Sequence, residues 1–114
     1  MQIFYKIERA SVWQQAVEAG TYFGSALDLK DGFIHLSTAE QARETARLHF
    51  ANQTDLILVA LPESALQADL KWEASRGGHL FPHVFGVLKP DDALWVKPLP
   101  WTGAAHEFPA EFSA

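Results

Sequence analysis

Asp55-Leu56-Ile57-Leu58-Val59-Ala60-Leu61 is a nearly unbroken apolar run with neither a helical nor an alternating period. A run of that length marks a central strand covered on both faces. The rest of the chain is read outward from it. Upstream, Thr38 has the character of an N-cap, with Gln41 completing a capping box, and Ala42, Ala46 and Phe50 form an apolar stripe. The spacing predicts a helix over 39–51, ended near Asn52. Before it, residues 33–36 read as a strand, set off by the turn pair Asp31-Gly32. Residues 21–31 carry mixed signals, with one short helical turn near 25–28. Ser11 and Gln14 suggest a second capping box, opening a helix over 11–19 that Gly20 ends. Residues 3–8, aromatic and β-branched, read as the first strand.

Downstream, Pro62-Glu63-Ser64 turns the chain and residues 70–75 alternate as a strand. Arg76-Gly77-Gly78-His79 is a glycine-rich loop. Pro82 leads into a strand over 83–88, Lys89-Pro90-Asp91-Asp92 turns, and 93–97 is the last strand. The connections in this half are too short for crossover helices. The expected class is α+β: a small mixed, mostly antiparallel sheet with two or three short helices. Residues 1–97 are expected to form a single compact domain. The tail, 98–114, holds Trp101, Phe108 and Phe112 and is expected to pack on it.

Composition narrows the function. The 114 residues suit one domain, and 48% apolar content is ordinary for a globular protein. There is no cysteine, which excludes disulfides, thiolate metal sites and a cysteine nucleophile and fits a reducing, cytoplasmic setting. No signal-peptide pattern opens the chain, and no apolar stretch approaches the ~18 residues of a membrane span. Fourteen acidic against nine scattered basic side chains give a net charge of −5, against the basic stripe expected of a nucleic-acid binder. A small-molecule or protein partner is therefore expected rather than a polyanion.

Three clusters carry chemistry. On the strand over 33–37, His35 and Ser37 share a face about 7 Å apart. They precede the N-terminus of the helix that Thr38 caps, where free N–H groups suit an anion. The same residues also suit a plain strand end and cap. Glu73, beside Trp72, faces either solvent or a pocket; in a pocket it stabilises a developing cation or takes a proton. His83 and Phe85 share a strand face behind Pro82. Arg76 is the only arginine near these positions in sequence. Five histidines, no cysteine and no HExxH pattern argue against a metal. A Ser37–His83–Asp28 triad can be drawn, but no nucleophile elbow supports it.

With Asp31-Gly32-Phe33-Ile34-His35-Leu36-Ser37-Thr38, Trp72-Glu73 and Phe81-Pro82-His83-Val84-Phe85-Gly86, the chain resembles the domain-of-unknown-function family 952, from the first strand to about residue 97. Phe85 stands where that family often has tyrosine. The family looks like a compact member of the ADP-ribosyltransferase fold. The resemblance implies NAD as a substrate rather than a tightly bound cofactor, and transferase or NAD glycohydrolase-type activity. In that fold a histidine followed two residues later by serine or threonine binds the nicotinamide ribose, which His35 and Ser37 match. Tyr22, Phe85 or a tryptophan would supply a stacking aromatic and Glu73 the acid. The alternatives are a non-catalytic domain that keeps the pocket, and an RNA 2′-phosphotransferase-like activity.

Overall fold

The computed structural model describes residues 1–113, and of Arg76 the backbone alone. The central strand of the sequence reading is β3, Leu56–Pro62. It is flanked by β1, Ile3–Arg9, and by β6, Trp95–Pro98, in an antiparallel sheet of order β1-β3-β6. Val59 and Leu61 pack to one side of it, in a cluster with Phe4, Trp13 and Tyr22. Leu56, Leu58 and Ala60 pack to the other, with Tyr5, Ile7, Ala42, Ala46 and Leu99. Each fully buried leucine contributes about 1.5–3 kcal/mol, so this strand anchors both halves of the core.

The expected single sheet is divided. A second antiparallel sheet has the order β2-β5-β4, formed by Ile34–His35, Leu80–Val84 and Leu70–Ala74. The class is α+β, with three helices and two small antiparallel sheets. Among the described residues a single bridge joins the sheets: Tyr5 N–H donates to the Ser37 carbonyl at 2.8 Å and Ser37 N–H to the Tyr5 carbonyl at 2.9 Å.

The helices are α1, Ala10–Ala19, α2, Ala26–Asp31, and α3, Ala39–His49. α3 has the predicted Thr38/Gln41 capping box, worth about 1 kcal/mol, and buries Ala42 and Ala46. α1 departs from expectation at its start. Arg9 is its N-cap, whose side chain accepts no hydrogen bond, and Ala10 N–H donates to the Asp55 carbonyl at 2.7 Å. Ser11 therefore lies inside the helix. α2 is longer than the turn expected near 25–28; a Ser25/Asp28 capping box opens it, and Gly32, at φ 87°, closes it in the left-handed region. β5 is displaced from the expected 83–88 and runs through Pro82. That proline needs no donor there: its carbonyl accepts from Leu36 N–H at 3.1 Å. In the tail, the Phe112 ring meets Tyr5 at 4.8 Å and Arg43 lies over Phe108 at 4.7 Å.

Candidate functional site

β1 has core on both sides. Tyr5 and Ile7 face one cluster; Phe4, Lys6 and Glu8 alternate onto the other face. Lys6 and Glu8 are thereby carried inward and are 5% and 4% exposed. Buried charges require partners. Lys6 Nζ donates to Asp28 Oδ2 at 2.8 Å and to the His35 carbonyl at 3.1 Å. Asp28 is itself buried on α2, and its Oδ1 lies 2.7 Å from His35 Nδ1 and accepts His35 N–H at 3.2 Å. Burial would raise the Asp28 pKa, but the hydrogen bond with His35 and the bond and charge of Lys6 more than offset it. The carboxyl is held well below the usual carboxylate range.

Glu8 is served differently. Its carboxylate accepts from Tyr22 Oη at 2.5 Å and from Arg9 N–H at 2.7 Å, and no ion pair among the described residues includes it. Burial, then the hydrogen bond and charge of Glu8 and the nearby Asp28, push the Tyr22 hydroxyl far up, so it remains a donor.

His35 also meets Asp31 Oδ2 through Nε2, at 3.1 Å. A neutral imidazole donates from one nitrogen, so both aspartates are served together only when both ring nitrogens carry protons. Across the β2–β5 ladder His35 pairs with His83, and the rings stand 5.4 Å apart, edge to face. His83 Nδ1 lies 2.7 Å from Glu73 Oε1 on β4, and Phe33 stacks on the His83 ring at 4.1 Å.

A cleft of about 730 Å³ opens beside these groups, where the two sheets part. Lys6, Glu8, Asp28, Asp31, His35, Ser37 and His83 line it, and Thr45, His49 and Phe50 extend it along the end of α3. Among the described residues no set of three or more His, Asp or Glu side chains is arranged to hold a metal ion.

Of the residues singled out from sequence, His35, Ser37 and His83 come together in the cleft. Ser37 Oγ also donates to Thr45 Oγ1 at 3.2 Å. Glu73 reaches the site only through His83. Thr38 is occupied as the cap of α3, and Tyr22 lies behind Glu8, away from the cleft lining. Phe85 stands outside the cleft, against Phe33 at 5.2 Å and beneath Lys71 Nζ at 4.7 Å. The side chain of Arg76 lies outside the described residues. The Ser37–His83–Asp28 triad does not form, because Asp28 is bonded to His35.

Sequence reading missed Lys6, Glu8 and Asp31, and drew Asp28 only into a triad with Ser37 and His83 rather than beside His35. A signal for the first two was present: Phe4 shares their strand face, and a face that carries an aromatic residue in a strand with aromatics on both sides has no obligation to be wet.

No curated protein matches the chain. The crystal structure of protein CC0527 from Caulobacter crescentus is similar to it with a TM-score of 0.86 and 42% sequence identity, covering 92% of this chain and 93% of that one. The solution NMR structure of CC0527 gives a TM-score of 0.81 at 43% identity, covering 91% of this chain and 90% of that one. Residues 7–96, which span both histidine–carboxylate pairs, match the family described as Protein of unknown function (DUF952), and the chain belongs to that family.

Proposed function

We propose that the cleft binds an NAD-type nucleotide, in an ADP-ribosyltransferase-like arrangement, and that the protein cleaves or transfers at the nicotinamide ribose. The observation that carries this reading is the convergence of two histidines in one cleft, each with Nδ1 held by a carboxylate. Glu73 occupies Nδ1 of His83, leaving Nε2 as the nitrogen that can take a proton. His35 and Ser37 hold the ribose. When the C1′–nitrogen bond breaks, its electron pair neutralises the nicotinamide cation. An acceptor hydroxyl or water then bonds to C1′ and gives its proton to His83. Glu8 and Asp31, both lining the cleft, face the oxocarbenium-like centre with negative charge.

The test is titration with NAD, ADP-ribose and nicotinamide, followed by tryptophan fluorescence and amide shifts, with nicotinamide release measured beside it. Binding with release is expected, and His83→Ala should slow release on the order of 100-fold or more while sparing binding. No response at millimolar nucleotide would sink the reading. Binding without release across a broad set of acceptors would favour a second reading, a non-catalytic domain. It is supported by the absence of Glu73, the sequence's candidate acid, from the cleft lining. Phosphotransfer to a nucleic-acid end is the weaker alternative, because among the described residues the lysine and arginine that line the cleft, Lys6 and Arg9, are paired with Asp28 and Asp55.

A further inference from the structure

The cleft exists because a β-ladder stops after one rung. In β1 the even-numbered residues turn their backbone groups to β3. Pro62, paired with Ile3, has no N–H to donate, while Gln2 and Ala10, both even, bond beyond the two ends of the ladder. The odd-numbered residues point to the other edge, and there Tyr5 pairs with Ser37. Continued antiparallel, that edge would next pair Ile7 with His35. It does not. His35 N–H is taken by Asp28 Oδ1 and the His35 carbonyl by Lys6 Nζ. Two side chains stand in for the missing rung on one strand, and nothing stands in on the other. Ile7 lines the cleft and is 6% exposed, and among the described residues none hydrogen-bonds its N–H or C=O on that edge.

Backbone groups this enclosed are nearly always paired. We infer that the Ile7 N–H and C=O form a recognition edge for a planar amide: a carboxamide, a lactam or the edge of a nucleobase, offering one acceptor and one donor side by side. The free edge is one residue long, since Tyr5 is bridged to Ser37 and Arg9 N–H is bonded to Glu8. An added peptide strand needs several consecutive free residues, whereas a single amide needs one. Ile7, His35 and His83 all border this cleft. The inference rests on the cleft being a ligand site, and not on the ligand being NAD.

The experiment uses backbone amide NMR on the intact chain. Without ligand, Ile7 N–H should exchange with solvent at least about tenfold faster than the paired amides of Lys6 and Glu8. Titration with benzamide should shift the Ile7 amide resonance and slow its exchange. Benzoate lacks the donor and N,N-dimethylbenzamide lacks the N–H; each should shift it far less. If benzamide moves Ile7 and NAD does not bind, the recognition edge stands and the nucleotide reading falls. If NAD binds and Ile7 is unmoved, or if the Ile7 amide is as protected as Lys6 without ligand, the recognition edge is overturned.

Discussion

The two histidine–carboxylate pairs bordering the cleft have opposite burial. In the first, the carboxylate is the hidden member: the Asp28 side chain is 2% exposed and that of His35 29%. In the second, the histidine is hidden, at 4%, and the Glu73 side chain is 41% exposed. Both have Nδ1 to oxygen distances of 2.7 Å. Equal geometry therefore stands on unequal energetics. A buried carboxylate tied to a buried ammonium holds the fold together. A half-exposed carboxylate orients a ring and contributes little else. The first pair belongs to the architecture of the cleft, and the second to its chemistry.

The sharpest way to break this contrast is Asp28→Asn. It leaves Lys6 as a buried charge without its counter-ion and should cost about 3–5 kcal/mol in urea denaturation. A loss below about 1 kcal/mol would make the two pairs equivalent after all. The same site sets a pH signature. Folding depresses the Asp28 pKa, so between the ordinary carboxylate value and the lower folded one the unfolded state binds more protons. That stabilisation is complete above the ordinary range and is lost as pH falls below it. A denaturation series from pH 6 downward should show the loss in the parent protein, and less of it in Asp28→Asn.

Tyr22→Phe is the next largest. It removes the donor to Glu8 while that carboxylate stays buried, at an expected cost of about 1–3 kcal/mol by thermal or urea unfolding. An unchanged midpoint would mean that solvent satisfies Glu8 from the cleft. Glu73→Gln should have the smallest effect on stability, less than about 1 kcal/mol, because Glu73 is half exposed. Its effect should fall instead on His83: the imidazole nitrogen shifts should report an altered tautomer balance, and any nicotinamide release should slow by on the order of tenfold or more. A large stability loss with unchanged imidazole shifts would reverse the assignment of roles.

Much of this was legible in the residues. The capping box at Thr38 and Gln41, the closing Gly20 and the apolar run of β3 are local signals, and each is where its chemistry places it. Local signals failed where tertiary pairing overrode them. Pro82 reads as the start of a strand, yet it lies within β5 because its neighbour across the ladder asks for a carbonyl only. Ser11 reads as a cap, but β1 runs directly into α1 and leaves no room for one. His35 and Ser37 were visible as a polar pair before a capped helix. Lys6 and Glu8 were not, because a lysine and a glutamate in an outer strand read as its wet face. Only the opening between the sheets turns that face inward.

The Tyr5–Ser37 rung makes that opening a wedge with a fixed apex. Each residue along β1 moves about 3.3 Å from the apex, so Ile7 stands some 7 Å out. A wedge sorts molecules by thickness. Flat, conjugated groups slide toward the narrow end, and branched or tetrahedral groups stop nearer the mouth. The same rung sets the taper, so lengthening or shortening either chain segment at the apex would regrade the selection without altering any residue that touches the ligand.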